Sequence, residues 1–256
     1  MPNVDKPELE VAETVNPSGA HPVLLVCEHA SAFIPDDYAG LGLSDEQRKC
    51  HIAWDPGALE TARFMSQKLD AVLVKGNVSR LLYDCNRPPE AVDAIPQVSE
   101  IHAVPGNANL TAAQRRARVD TYYRPFETRL AQVVAAHRVP PVIVTMHSFT
   151  PVYRGVTRDV EIGILHDEDA RLADAMLGVA EGFDIRRNEP YGPEDGVTHT
   201  LRRHALENGH LNVMIEIRND LVTNTQDCRT MADHLCRWLE AALARLSASP
   251  AREVRA

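Results

Sequence analysis

His29 and His147 each follow a short run of mostly apolar residues, Val23 to Val26 and Val142 to Met146. A third run from Leu211 carries Glu216 and Arg218 near its end. Imidazoles and carboxylates are the side chains that hold a divalent cation or move protons near neutral pH. Three buried segments ending in His, His and Glu therefore suggest a metal-centred hydrolytic site. A second group, Arg80, Asn86 and Arg87, lies within Ser79 to Pro89. Arginine presents a planar fork that grips carboxylates in bidentate fashion, so this group reads as an anion clamp. For any one of them a solvated surface charge is the plainer reading. Asp55, in the stretch Trp54 to Gly57, reads on its own as the N-cap of a following helix, with Pro56 at its first position.

Short apolar runs bounded by turn signals read as strands buried on both faces, as in a sheet covered by helices. In open α/β sheets, ligands bind at the C-terminal edge of such strands, which is where these polar residues fall. Ala71 to Val74, Val160 to His166 and Ile185 to Glu189 read as further strands. Helices are expected over Ala58–Leu69, over Thr111–Arg138 with Pro125 kinking or dividing it, over Glu168–Gly182, over Leu201–Asn208 and over Thr225–Leu246. Ser44 with Gln47 has the form of a capping box opening a short helix. Glu90 to Leu110, rich in Pro, Gly and Asn, reads as a long loop or lid. The βα alternation predicts an α/β fold, a three-layer α/β/α sandwich with a mixed, mostly parallel central sheet of the phosphorylase/hydrolase-like kind. Residues 1–20 are expected to be a tail or surface strap, 21–247 a single hydrolase domain, and 248–256 a C-terminal tail.

The chain has 256 residues, 44% hydrophobic and 25% charged, enough for a sizeable core. A formal charge of −9 argues against nucleic acid or an anionic membrane as partner. Short basic clusters, such as Arg115, Arg116 and Arg118, read as solvated helix faces. No apolar run has the length of a signal peptide core or a membrane span, and five cysteines without a paired pattern fit a reducing compartment, so a cytoplasmic protein is expected. The cysteines read as buried small hydrophobes, and a cysteine hydrolase using Cys27 with His29 lacks the setting that lowers a thiol pKa. The chain has eleven histidines. His21, His51, His102, His137, His204, His210 and His234 have no such context, whereas His166 ends a strand and is a reserve ligand.

Taken in order, His29, Asp55, Ser79-Arg80, Asn86-Arg87, His147-Ser148 and Glu216 resemble the N-formylglutamate amidohydrolase family, over about Val23 to Leu239. The strongest pieces are Ser79 to Pro89, of the form S-R-x-x-x-D-x-N-R-P-P, and the strand ending His147-Ser148. Glu28, His29, Ala30 and Ser31 stand where the family has a His-Ser pair. The family is similar to zinc carboxypeptidases and aminoacylases. The resemblance implies one Zn²⁺ per chain, or another divalent metal, held by His29, Asp55 and His147, with Glu28 as the competitor for the third place. It implies that Glu216 is the general base and that Arg80 stabilises the oxyanion or, with Asn86 and Arg87, holds substrate carboxylates. Ser148, Thr198, His199 and Arg218 are further substrate-contact candidates. The implied substrate is a small N-acyl amino acid such as N-formylglutamate, in histidine catabolism, for a monomer or small homo-oligomer. The same residues also suit a deacylase or carboxypeptidase-like hydrolase of other substrates, or a non-catalytic carboxylate-binding protein.

Overall fold

The computed structural model describes residues 9–248. Among them, seven strands form one sheet: β1 Ala12–Val15, β2 Val23–Cys27, β3 Val72–Gly76, β4 Val142–Phe149, β5 Ile162–Leu165, β6 Ile185–Arg187 and β7 Asn212–Arg218. Their order is β1-β3-β2-β4-β7-β5-β6. Strands β3, β2, β4 and β7 run parallel, and β6 runs parallel to β5, while β1 is antiparallel to β3 and β5 to β7. The helices are α1 Asp45–Lys49, α2 Ala58–Leu69, α3 Ala112–Arg118, α4 Arg124–Ala136, α5 Arg171–Leu177, α6 His199–His204 and α7 Thr225–Ala248.

Alternation along β2 sends Val23, Leu25 and Cys27 to one face, where α2, α5 and α7 cover them. Leu24 and Val26 go to the other, beneath α4 and α6. Helices on both faces explain why β2 is apolar at every position. The chain passes from β2 through α2 to β3 on one side. It then returns over the opposite face through α3 and α4, laying β4 on the other side of β2. The strand order reverses between β2 and β4, so a crevice opens beyond their C-terminal ends. His29 and His147 stand there.

Helix α2 has the expected bounds, but its N-cap is not the expected residue. Gly57, not Asp55, is the N-cap, at φ +80. A Cβ there would lie 2.5 Å from Val222 Cγ2, so glycine is demanded by both backbone and space. Asp55 is thereby freed from capping. The expected capping box at Ser44 and Gln47 is present, and Thr111 with Gln114 forms another. Between α3 and α4 the helix widens to a π turn over Val119–Tyr123, with the Arg124 N–H donating to the Val119 carbonyl. Pro125 follows directly, and its missing N–H accounts for the division.

Three expectations are corrected. Residues 12–15, within the supposed N-terminal strap, form the edge strand β1. It pairs from Ala12↔Gly76 to Val15↔Leu73, and Glu13 meets Lys75 across the pair at 2.7 Å. Arg118 is not on a solvated face. It is buried, and donates to the Leu82 and Gly106 carbonyls and to Asn107 Oδ1, stapling the long segment 90–110. The helix expected over 168–182 contracts to α5, because Asp169 turns the chain by accepting from the Arg171 N–H. The expected C-terminal tail lies outside the described residues apart from Ala248, the last residue of α7. No helix among the described residues is long and apolar enough to cross a membrane.

Candidate active site

Beyond the ends of β2, β4 and β7 lies a cleft of about 330 Å³. Three donor atoms converge in it: His29 Nδ1 lies 3.2 Å from Asp55 Oδ2, His147 Nδ1 2.9 Å from the same oxygen, and the two Nδ1 atoms are 3.2 Å apart. All three residues are buried. Asp55 reaches the site because its N–H donates to the His29 carbonyl, at 2.9 Å, just before Gly57 starts α2.

The outer nitrogens of both imidazoles face carboxylates. His29 Nε2 lies 2.6 Å from Asp84 Oδ1, and His147 Nε2 is 3.2 Å from Glu28 Oε2 without hydrogen-bond alignment. β2 ends at Cys27 and the chain turns at Glu28 and His29, which lets two consecutive residues face the same crevice. Glu28 therefore stands behind His147, on the side away from Asp55. Arg80 bridges the group, with Nη1 3.3 Å from Asp55 Oδ1 and Nη2 2.6 Å from Asp84 Oδ2.

Glu216 enters from the neighbouring strand. Its register partner on β4 is His147, so the two side chains share one sheet face and both line the cleft. Among the described residues nothing bonds Glu216 Oε2. Burial pushes its carboxyl up to about 7, against the pull of His147. Burial alone would also raise Asp55, but His29, His147 and Arg80 outweigh it and hold that carboxyl far below the usual carboxylate range. Burial would lower the imidazole of His147, yet Glu28 and Asp55 overcome it and raise its pKa well above the ordinary value. The carboxylates thus draw positive charge onto two imidazoles whose facing nitrogens are 3.2 Å apart.

A cation shared by the two nitrogens would resolve that contact. Tetrahedral ligands at about 2.0–2.2 Å from zinc lie about 3.3–3.6 Å from one another. The separations here, 2.9–3.2 Å, are only slightly shorter. The outer-nitrogen contact of His29 with Asp84 is the carboxylate–histidine pairing that commonly orients metal-bound imidazoles. His29, Asp55 and His147 form a group that could hold a metal ion. Their donor types and spacing fit one.

The remaining sequence candidates divide. Asn86 and Arg87 line the cleft but are largely engaged: Asn86 donates from Nδ2 to the Val197 carbonyl and accepts from the Thr200 N–H at 3.0 Å. Arg87 holds Asp93 at 2.8 Å and the Asn86 carbonyl at 3.0 Å. Ser148 also lines it, yet its hydroxyl donates to the Pro56 carbonyl at 2.7 Å and its N–H points to Asp55 at 3.4 Å, so it braces Asp55. Thr198, His199 and Arg218 are not brought to the cleft. Thr198 donates to Asp167, His199 pairs with the Tyr123 hydroxyl at 2.8 Å, and Arg218 is held by Asp220 and the Asp159 carbonyl. His166 also faces elsewhere, towards the Asp167 carbonyl and Arg187. Cys27 lies in the core behind β2, where burial raises its thiol well above the ordinary value. Tyr191 and Arg154, which line the cleft, were not singled out by the sequence reading. The Asp in the quoted Ser79–Pro89 motif could have pointed to Asp84.

Because Asn86 ties the Val197–Thr200 turn to the motif segment, Asn86→Ala should lower unfolding free energy by about 1–3 kcal/mol. Chemical denaturation measures it, and an unchanged midpoint would show that these bonds are dispensable.

The sequence matches the N-formylglutamate amidohydrolase family over residues 21–223. Gene product Atu2144 from Agrobacterium tumefaciens has a similar structure, with TM-score 0.91 at 53% identity, covering 94% of this chain and 97% of that one. N-formylglutamate amidohydrolase from Ralstonia eutropha JMP134 shares the fold at TM-score 0.63 and 17% identity, covering 94% and 100% respectively. No curated protein matches the sequence. With a family match spanning most of its length, the chain belongs to the N-formylglutamate amidohydrolase family, hydrolases that act on an amide bond.

Proposed function

We infer that the cleft hydrolyses the amide of an N-formyl, or another small N-acyl, derivative of an acidic amino acid such as N-formylglutamate. The observation that carries the reading is the convergence of His29, Asp55 and His147 beside a buried Glu216 oxygen that no described residue bonds. In this reading His29, Asp55 and His147 hold one Zn²⁺ or another divalent cation. When bound, such a cation supplies a Lewis acid for the amide carbonyl and a lowered pKa for the attacking water.

The protein's own groups supply the rest. Glu216 takes the proton of the attacking water and passes it to the leaving amine. Arg80, fixed by Asp55 and Asp84, presents positive charge where the carbonyl oxygen becomes negative. Asp84 holds the His29 ring so that Nδ1 faces Asp55 and His147, with which it would hold the cation. Asp84→Asn should accordingly weaken cation affinity by roughly 10–100-fold. Competition against a chromophoric chelator measures this, and wild-type affinity would remove Asp84 from that role.

The test of the whole reading joins metal analysis to a substrate panel. Protein purified without added metal should carry about one divalent ion per chain. It should release formate from N-formylglutamate in a chelator-sensitive way. Cleavage of N-acetyl or N-succinyl amino acids instead would keep the mechanism and change the acyl group. Neither metal nor turnover on the panel would overturn the proposal.

A further inference from the structure

Two short hairpins overhang the cleft. One pairs Val98–Ser99 with His102–Ala103, the other Val152–Tyr153 with Val156–Thr157. They meet tip to tip: the Arg154 N–H donates to Glu100 Oε1 at 2.9 Å, and Glu100 Oε2 lies 2.9 Å from His51 Nε2. The backbone of Arg154 is therefore fastened, and its side chain is what remains adjustable.

Arg154 and Gly155 close the second hairpin at φ +50 and φ +79. Two successive left-handed residues in a two-residue loop mark a type I′ turn, whose first position is usually Asn, Asp or Gly. Arginine is disfavoured there because its Cβ crowds the following carbonyl. A residue kept in a disfavoured backbone region points to a use for its side chain.

That side chain lines the cleft, with its guanidinium carbon 5.4 Å from the centroid of the Tyr153 ring. Among the described residues no carboxylate pairs with it and no oxygen accepts from it. The other two arginines lining the cleft differ. Arg80 is committed to Asp55 and Asp84, and Arg87 to Asp93 and the Asn86 carbonyl. Behind Arg154, Arg158 lies 4.4 Å over the Tyr153 ring and 4.8 Å over the Tyr191 ring, and among the described residues it also lacks a carboxylate partner. Of the other acids lining the cleft beside Asp55, Asp84 and Glu216, Asp93 is taken by Arg87, Glu100 by the Arg154 N–H and His51, and Asp195 by the Gly192 N–H, which leaves the Arg154 guanidinium without an acid partner among the described residues.

We propose that Arg154, seated on Tyr153 with Arg158 behind it, binds the side-chain carboxylate of an N-acyl dicarboxylic amino acid and so sets the preference for acidic over neutral amino acids. This rests on the amidohydrolase reading above. The amide to be cleaved must reach the buried groups at the bottom. The α-carboxylate lies one carbon from the amide nitrogen and stays deep with it. The side-chain carboxylate is the end that extends to the rim, where Arg154 is exposed. An arginine fork that no carboxylate already engages among the described residues is suited to receive it.

Arg154→Asn tests this without breaking the hairpin, since Asn suits the turn. The metal-loaded full chain is assayed on N-formylglutamate and on N-formylglutamine, its isostere with an uncharged side chain, and calorimetry compares binding of L-glutamate by the two proteins. The wild type should prefer formylglutamate. Arg154→Asn should reduce the ratio of the two kcat/KM values by roughly tenfold or more, mainly through KM for formylglutamate, with Arg154→Lys recovering part of it. An unchanged ratio, an equal loss on both substrates, or a wild type indifferent to the charge would overturn the proposal. If the wild type cleaves neither compound, the amidohydrolase reading falls and the calorimetry still decides for Arg154. Glutamate binding weakened in the variant supports it; no binding by the wild type, or equal binding by both, overturns it.

Discussion

Glu216→Gln is expected to leave the fold and the cation content unchanged while reducing kcat by a factor of about 10²–10⁴, the span over which a positioned general base contributes. Glutamine is nearly isosteric and neutral, so the burial of this side chain on β7 costs less than that of a carboxylate. What the variant loses is proton transfer. Glu216 is the one carboxylate of the cluster whose pKa is raised, to about 7 through burial, and one of its oxygens has no hydrogen-bond partner among the described residues. Asp55 and Asp84 are instead held low by imidazoles and Arg80, so they stay charged and make poor proton acceptors. A base must be deprotonated to act. Activity should therefore be present above the Glu216 pKa and fall as pH drops through it. A neighbouring cation lowers that pKa, so the acid limb of the loaded enzyme should lie below the value of about 7 that belongs to the cation-free cluster. The measurement is kcat against pH for wild type and variant, with metal content determined on the same samples. Turnover within a few-fold of wild type would remove Glu216 from the mechanism.

The parts of this site that were legible in the sequence are those dictated by burial on both sheet faces. β2, β4 and β7 lie at the centre of the sheet, so their runs were apolar apart from Thr145 and Asn212, and the polar residues at their ends stood out. The bounds of α2 were also readable, because its buried positions repeat at three- and four-residue spacing. β1 was not, since an edge strand covered on one side presents only a weak alternation around Val11, Glu13 and Val15. Nor could residue type reveal partners. Asn86 and Arg87 have the chemistry of a substrate clamp, yet much of their hydrogen-bonding capacity is spent within the protein. Arg118 looked like a surface charge and is a buried staple. Glu28 stands beside His147 only because the strand ends one residue earlier and the chain turns, which no periodicity encodes. Arg154 carried no motif. Its interest arises from a turn conformation and from a guanidinium that no carboxylate engages among the described residues.

His147→Ala should abolish cation retention and activity together. The reason lies in how much of the cluster this one ring joins. Its Nδ1 is within 3.2 Å of both other proposed ligands, and its Nε2 faces Glu28, whose oxygens make no aligned hydrogen bond among the described residues. Removing it leaves two ligands instead of three and strips Glu28 and Asp55 of a positive neighbour. The remaining His29 and Arg80 cannot offset four buried carboxyls, so Glu28 and Glu216 should take up protons in the variant. Ligation should also show in stability, because a cation bound to the folded state alone stabilises by about 4 kcal/mol at a thousandfold excess over Kd. Chelation should thus lower the wild-type Tm on the order of 10 °C and leave that of His147→Ala in place. This readout is independent of any substrate, which matters because loss of activity alone would not distinguish a ligand from a positioning residue. A variant that keeps full cation occupancy and the chelator-sensitive Tm would exclude His147 as a ligand. One that loses both while Glu216→Gln keeps both would separate the group that holds the cation from the group that moves the proton.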